Sequence, residues 1–182
     1  MDYLQLIKQD PEEGAKRLVA EFGDRLFAVA YKVCLNTADA EDLVYRTLMR
    51  AIEKIDSFEG NSSFYTWLYA ILMNFRRMDV RSLQSDRLVF GEKLPDVQDD
   101  RLDPVETLAQ KVDAGFLRKA VSELPEDLRS VVVFRYFEDL PLVEIARLLK
   151  LPPGTVRFRL FTAKRLIRQK IGKHLSGELH LK

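Results

Sequence analysis

Nine basic side chains follow one another between Ile145 and Gly177 without an acidic residue among them. They are Arg147, Lys150, Arg157, Arg159, Lys164, Arg165, Arg168, Lys170 and Lys173. The formal net charge of the whole chain is only +1, so this basic cluster is a local feature. A locally basic segment in a near-neutral chain is typical of a polyanion-binding site. A solvated helix face is the simpler alternative.

Periodicity places this segment on two helices that are separated by a break near residues 150–154. The second helix is expected from Thr155 to about Gly172. Its apolar residues share one stripe through a 4-3-4 spacing: Val156, Leu160, Ala163 and Ile167. Pro152 and Gly154 are expected to turn the chain, and Thr155 to cap the second helix. The pattern predicts a helix-turn-helix that docks in duplex DNA, with a simple two-helix hairpin as the alternative.

The outer face of this final helix is predicted to contact duplex DNA. Its members are polar, basic or aromatic: Thr155, Arg157, Phe158, Arg159, Phe161, Thr162 and Arg165. Arginines bind guanine edges or phosphates. Phe158 and Phe161 leave two interpretations open, contact with thymine methyl groups in the groove or packing against a neighbouring helix or a partner protein.

Helical periodicity dominates the rest of the chain, and no segment alternates as a strand would, so the expected fold is all-α. A first domain is predicted over residues 1–84, with four helices. They run from Pro11 to Phe22 after an Asp10 N-cap, from about Asp24 to Leu35, from a cap at Thr37 or Asp39 through Ile55, and from a cap at Ser62 or Ser63 to about Leu83.

Residues 85–104 lack periodicity and are predicted to form a flexible acidic linker between two small helical domains. Between Ser85 and Glu106, seven acidic residues stand against three basic ones. The second domain is expected over residues 105–182. Its helices are predicted from Val105 to Leu124, from Pro125 to Phe137, from Leu142 to Lys150 and from Thr155 onward, with a frayed tail beyond Lys173.

The side chains that catalysis or metal binding would require are scarce. The two histidines, His174 and His180, both lie near the C-terminus, and Cys34 is the only cysteine. No nucleophile triad, metal-ligand spacing or Gly-rich phosphate loop is present, so we expect neither an enzyme nor a cofactor. No apolar run approaches the roughly 20 residues that span a bilayer, and the N-terminus lacks the layout of a secretory signal. A cytoplasmic protein is expected.

Two sets of motifs, one in each predicted domain, resemble a known family. The C-terminal set is LPEDLRSV at 124–131, FRYFEDL at 134–140, EIA at 144–146 and GTVR at 154–157. It resembles region 4 of bacterial RNA polymerase sigma factors of the sigma-70 family, above all the extracytoplasmic-function (ECF) group. The N-terminal set resembles regions 2.2 and 2.3 of the same family. It is AEDLV at 40–44, FEGNSSF at 58–64, TWLY at 66–69 and Asn74.

The resemblance implies a factor that binds RNA polymerase core and directs transcription initiation at promoters. Region 4 would read the −35 element as duplex, and region 2 would take the −10 element as a melted strand. Carried over, the −10 contacts are Phe58, Asn61, Ser62, Asn74, Arg77 and Arg81. The polymerase contacts are Asp39, Glu41, Asp42, Tyr45 and Arg46.

Further partners follow from the resemblance. They are the clamp helices of the largest polymerase subunit, the flap region, promoter DNA and an anti-sigma factor. In the loop at 56–63, Asn61 and Ser62 can hydrogen-bond base edges, whereas Phe64, Trp67 and Leu68 are expected in the core rather than on DNA.

The chain departs from the family pattern in both domains. Tyr45 and Arg46 stand where the family commonly has Gln and an acid, and Asp79 comes one place after the usual aspartate. Phe158 and Thr162 replace a frequent Ser and Arg, so the promoter sequence does not follow from the residues. A helix-turn-helix regulator that binds an operator without engaging polymerase is the alternative function. The aromatic loop argues against it, since a simple repressor has no use for a melting loop.

Overall fold

The computed structural model describes residues 3–83 and 112–179. Within these ranges all regular structure is helical, which confirms the expected all-α class, and the chain divides into two compact units. None of the described helices is both long and apolar enough to cross a bilayer. The predicted linker at 85–104 and both predicted domain boundaries lie outside the described residues.

The N-terminal unit contains four α-helices and one short 3-10 turn. They are α1 (Tyr3–Gln9), α2 (Pro11–Cys34), α3 (Thr37–Glu53), the turn Ile55–Ser57 and α4 (Phe64–Leu83). The core lies where α2 packs on α3 and α3 packs on α4. Its fully buried side chains include Leu18, Phe22, Leu26, Leu43, Leu68 and Leu72.

Helix α2 is continuous, so the two separate helices predicted from Pro11 to Phe22 and from Asp24 to Leu35 are wrong. Gly23 lies inside the helix. A glycine there costs about 1 kcal/mol relative to alanine. The cost is offset because Phe22 and Leu26, four residues apart, are both buried and continue one apolar stripe across the glycine.

The start of α2 is as predicted, and a helix that was not expected precedes it. Asp10 caps α2, because its Oδ1 accepts a hydrogen bond from the backbone N–H of Glu13 at 3.0 Å. Helix α1 packs on α2 through Ile7, which is buried. A Cβ at Gly14 would lie 2.6 Å from Cγ1 of Ile7, so only glycine permits this approach.

The cap of α3 is the residue before the expected ones, whereas the cap of α4 is one of the two that were expected. Asn36 caps α3, rather than Thr37 or Asp39, and accepts a hydrogen bond from the N–H of Asp39 at 3.0 Å. For α4 the structure selects Ser63 from the two expected serines, since its Oγ accepts from the N–H of Thr66 at 3.1 Å. This cap fixes where the loop ends and the aromatic helix begins.

The C-terminal unit contains four further helices. They are α5 (Ala114–Ser122), α6 (Glu126–Val132), which widens into a π-helical turn at Val133–Phe137, α7 (Leu142–Leu149) and α8 (Pro153–Leu179). Helix α6 packs along α8. Val131 and Phe134 on one side and Val156 and Ala163 on the other are completely buried.

The single helix expected from Val105 to Leu124 is wrong at residues 112–113. Asp113 is extended, with φ −69° and ψ 156°, and its carboxylate accepts from the N–H of Phe116 at 2.9 Å. This N-cap starts α5 at Ala114. The expected fraying beyond Lys173 is also wrong, because α8 continues to Leu179 and the ring of His174 stacks on Phe116 with 4.0 Å between centroids.

The turn between α7 and α8 is made by Lys150, whose φ of 54° is in the left-handed region. Pro152 and Gly154 were expected to make it, but Gly154 lies in the first turn of α8 and has no positive φ. The predicted Thr155 cap is wrong as well. Thr155 is already helical, and its N–H donates to the carbonyl of Pro152 at 2.9 Å. Pro153 opens the helix, a position where its fixed φ is favourable.

Candidate nucleic-acid interfaces

Helix α8 has one buried face and one outward face, as its periodicity predicted. The buried stripe contains the four expected residues and one more: Val156, Leu160, Ala163, Ile167 and Ile171. All seven predicted duplex contacts lie off this stripe. Arg157, Phe161 and Arg165 are exposed, and the other four are half-buried. The helix therefore presents cations and one aromatic ring to solvent on a rigid support.

Two cations on one flank of α8 are engaged by acids of the same unit. Arg159 pairs with Asp127 of α6 at 3.6 Å, and Lys170 forms a short hydrogen bond with Glu123 at the end of α5. The hydrogen bond from Lys170 lowers the pKa of the Glu123 carboxyl below its ordinary value. These pairs hold α8 in place, so the expected contact Arg159 has a structural partner in addition to any DNA partner.

The other flank of α8 meets a residue that the sequence did not suggest. Tyr136 is exposed, and Nζ of Lys164 lies 5.7 Å from the centroid of its ring. Tyr136 belongs to the π-helical turn, whose register does not follow the spacing of a regular helix. The spacing of a regular α-helix therefore could not predict that Tyr136 lies beside α8.

In the N-terminal unit, three rings close around the loop that precedes α4. The ring of Phe58 lies 5.1 Å from Phe64 and 5.4 Å from Trp67, and Phe64 lies 5.3 Å from Trp67. Phe22 of α2 extends the cluster to Phe64 at 5.1 Å. These contacts agree with the expectation that Phe64 and Trp67 pack internally, and they also give the predicted base contact Phe58 two aromatic neighbours.

The loop itself is exposed and turns at Gly60, where φ is +74°. Nδ2 of Asn61 donates to the Glu59 carboxylate at 2.8 Å, and Oγ of Ser62 donates to the Ser63 carbonyl at 3.3 Å. Both polar side chains thus lie on the loop surface with local partners only.

A groove of about 260 Å³ runs along α4 beside this loop. Its lining combines an apolar floor with polar and cationic side chains: Arg50, Lys54, Ser57, Trp67, Ile71, Asn74, Phe75 and Met78. It is smaller than the roughly 300 Å³ at which drug-sized pockets begin, and so suits one small planar group. Aromatic side chains with cations nearby are the groups that can stack on an unpaired base and contact its phosphate.

Only one of the six predicted −10 residues, Asn74, lines this groove. Its Oδ1 accepts from Nη1 of Arg77 at 3.2 Å, and Arg81 is exposed one turn further along α4. Sequence reasoning missed Arg50 and Lys54. A signal was available for the α4 residues, since Trp67, Ile71, Asn74, Phe75 and Met78 share one helical face.

The predicted polymerase contacts lie on the outer face of α3. Glu41 is exposed and the Tyr45 side chain is 65% exposed. Asp39 lies 3.7 Å from Arg76 of α4, and Asp42 lies 2.8 Å from Arg46. Four of the five predicted residues are therefore open to a partner. The fifth, Arg46, directs its guanidinium towards α4.

Comparison with known proteins follows the same division into two units. Residues 18–85 match sigma-70 region 2, and residues 117–167 match sigma-70 region 4. Together these matches cover more than half of the chain. The chain belongs to the sigma-70 family.

Individual relatives place this sigma factor in the ECF group. It is 32% identical to the ECF RNA polymerase sigma-E factor of Escherichia coli (strain K12) over 147 residues, which are 74% of this chain and 75% of that protein. It is 25% identical to the ECF RNA polymerase sigma factor SigW of Bacillus subtilis (strain 168) over 176 residues, which are 92% of this chain and 94% of that one.

A solved structure supports the same relationship. The sigma factor RpoE from Bartonella quintana, solved in complex with the anti-sigma factor NepR, gives a TM-score of 0.61 at 25% identity, and the match covers 86% of this chain and 96% of that one. In the present sigma factor the region 2 match contains the groove and the loop, and the region 4 match contains the first half of α8. Among the described residues, no group of three His, Cys, Asp or Glu side chains is placed to hold a metal ion.

Proposed function

We propose that this ECF sigma factor binds RNA polymerase core and directs promoter-specific initiation, with α8 reading the −35 element as duplex and the N-terminal unit holding the −10 element as a melted strand. The observation that carries the proposal is the groove on α4. A factor that read only duplex DNA would need the exposed face of α8 and nothing more. An aromatic groove beside an exposed polar loop serves an unpaired base instead.

The duplex-reading half of the proposal rests on the outward face of α8. Arg157, Phe161 and Arg165 are exposed on one helix, where the major groove of DNA can admit them. Thr155, Phe158, Arg159 and Thr162 complete the proposed −35 contacts. Phosphate contacts by arginine would add affinity that falls as salt rises.

The strand-capturing half rests on the loop and the groove. Taking a base out of the stack costs a few kcal/mol, which aromatic stacking and cations on the freed strand must offset. Trp67 and Phe75 supply stacking surfaces, and Arg50 and Lys54 supply the cations at the rim. Asn61, Ser62 and Asn74 supply hydrogen bonds to base edges, with Phe58, Arg77 and Arg81 flanking them.

The polymerase-binding surface is proposed on α3, at Asp39, Glu41, Asp42 and Tyr45. The exposed Met49, one turn after Tyr45, extends it with a second apolar side chain. The partners on the polymerase would be the clamp helices of its largest subunit, with the C-terminal unit on the flap. An anti-sigma factor is proposed as a further partner, since the relative from Bartonella quintana was solved with one. This role places the protein in the cytoplasm, with polymerase and DNA.

The test is reconstitution with sigma-free core polymerase and a randomised duplex library. We expect a complex with core, enrichment of one bipartite sequence, and permanganate-reactive thymines in its downstream half. The double variant Arg157→Ala/Arg165→Ala is the matched control, which should keep core binding and lose enrichment of the upstream half. Failure to bind core combined with tight duplex binding by the free protein would replace the proposal with an operator-binding regulator.

A further inference from the structure

Arg46 makes three sets of contacts, two of which join α3 to α4. Its Nη1 and Nη2 donate to the two carboxylate oxygens of Asp79 at 3.0 and 2.6 Å. Its Nε lies 2.8 Å from Asp42 on its own helix. Its guanidinium also covers the ring of Phe75, 5.1 Å from the centroid. The hydrogen bonds with Asp79 raise the pKa of Arg46 above its ordinary value, so the side chain is held in its charged form.

The contacts of Arg46 end on the turn of α4 that forms one wall of the groove. Phe75 and Met78 both line the groove, and Asp79 is the next residue of the helix. Arg46 binds Asp79 through two hydrogen bonds and makes a cation–π contact with Phe75. Together these contacts restrict the rotation of this turn and its distance from α3. Arginine supplies this fork geometry, whereas lysine offers a single point charge.

Two of the departures from the family pattern meet in this contact. Arg46 stands where the family that the chain resembles commonly has an acidic residue, and Asp79 lies one position after the aspartate of that family pattern. An acid at position 46 would lie beside Asp42 and opposite Asp79, where like charges repel. The two departures therefore match each other in charge and in position.

We propose that Arg46 is a positioning residue, which fixes the Phe75–Asp79 turn of α4 and so shapes the groove that takes the unpaired base. It does not contact polymerase, although it lies on the helix whose outer face does. The proposal rests on the proposed function, because it assigns Arg46 to the strand-capturing half of that function. Its effect on DNA passes through Phe75 and Asp79.

The experiment compares Arg46→Gln, Asp79→Asn and the double variant in reconstituted holoenzyme. The DNA probe is the sequence enriched by the wild-type holoenzyme from the randomised library, with 2-aminopurine in its downstream half to report opening. Affinity for core polymerase is measured separately with labelled sigma factor. Arg46→Lys keeps the charge and one hydrogen bond, and it serves as the conservative variant if Arg46→Gln does not fold.

We expect Arg46→Gln to keep its core affinity within about twofold and to lose about fivefold in the equilibrium constant for opening, the range typical of coupled neighbours. Asp79→Asn should show the same loss, and the double variant should lose no more than either single variant. Arg46→Lys should fall between the wild type and Arg46→Gln. A role in stability alone would not separate opening from core binding in this way.

Tyr45→Ala and Arg17→Gln are the comparison variants. Tyr45→Ala removes an exposed side chain of the proposed polymerase surface and should weaken core binding. Arg17→Gln removes a surface ion pair with Glu13 within α2 and should change neither measurement. The positioning role is wrong if Arg46→Gln weakens core binding, as Tyr45→Ala should, or if it changes neither core binding nor opening, as expected for Arg17→Gln. It is also wrong if the losses of opening in Arg46→Gln and Asp79→Asn add up in the double variant. If the wild-type holoenzyme opens no DNA, the proposed function fails independently of Arg46.

Discussion

The two helical units use their charged side chains in opposite ways. On the C-terminal unit, Arg157 and Arg165 extend from α8 into solvent, and neither forms an ion pair within residues 3–83 and 112–179. On the N-terminal unit, two arginines join α3 to α4: Arg46 of α3 pairs with Asp79 of α4, and Arg76 of α4 pairs with Asp39 of α3. A face that reads duplex phosphates needs exposed cations, whereas a groove that holds one base needs fixed walls.

Aromatic residues show the same contrast. Phe161 of α8 is 46% exposed, whereas Phe58, Phe64 and Trp67 pack on one another. In the C-terminal unit, the buried stripe of α8 and the exposed residues proposed to contact DNA are therefore different residues. In the N-terminal unit, packing and the proposed base recognition overlap at Trp67, which lines the groove and also packs on Phe58 and Phe64.

The largest expected effect is that of Trp67→Ala, because Trp67 belongs to both the cluster and the groove. Loss of a half-buried indole should lower the free energy of unfolding by about 2 kcal/mol and abolish most of the opening by holoenzyme. Trp67→Phe should retain most of the stability and part of the opening. Chemical denaturation and 2-aminopurine fluorescence measure the two effects. If the Trp67→Ala protein kept the stability of the wild type, Trp67 would not be needed for the aromatic cluster. The contrast between the two units would then not hold.

The next effect concerns the exposed cations of α8. Arg157→Ala and Arg165→Ala should each weaken promoter binding by holoenzyme about tenfold, and each lost phosphate contact should reduce the salt slope of log K by about 1. The melting temperature should stay the same, since neither side chain is buried. Titration of labelled promoter DNA at several salt concentrations measures both quantities.

Lys170→Gln is the matched control for these variants. It removes a cation from the same helix, but one that is held by Glu123. Its salt slope should equal that of the wild type, and its melting temperature should fall slightly. A reduced slope in Lys170→Gln would mean that the paired flank also meets DNA.

Sequence alone predicted the elements whose signals are local. The apolar stripe of α8, the Asp10 cap and the exposed face with Arg157 and Arg165 all follow from spacing within one helix. The continuity of α2 did not follow, because the burial that offsets Gly23 comes from packing on α3 and α4. The left-handed turn at Lys150 did not follow either, since proline and glycine nearby gave a stronger local signal.

The candidate sites show the same limit of prediction from sequence, since contacts between helices were not predicted. Asn74 was predicted from a motif. The cations beside it are Arg50, near the end of α3, and Lys54, the first residue after α3. They lie close to Asn74 only because α3 packs on α4. Arg46 was predicted as a polymerase contact, and its pairing with Asp79 was not predicted. Its periodicity allows it to face outward, and only the position of Asp79 on α4 turns it inward.

The smallest effect tests whether the paired flank of α8 is structural. Because Lys170 lowers the pKa of Glu123, the pair stabilises the fold above the ordinary carboxyl pKa, and this stabilisation is lost as the pH falls through the lowered value. Glu123→Gln should therefore melt slightly below the wild type at pH 7. The difference should shrink as the pH falls below the ordinary carboxyl pKa of about 4.3 and vanish below the lowered pKa. Glu123→Gln/Lys170→Gln should melt like either single variant, and thermal denaturation over that pH range measures all three. If the wild type and Glu123→Gln still melted at different temperatures in acid, the difference would come from the end of α5 and not from the ion pair. This flank of α8 would then be held by packing alone.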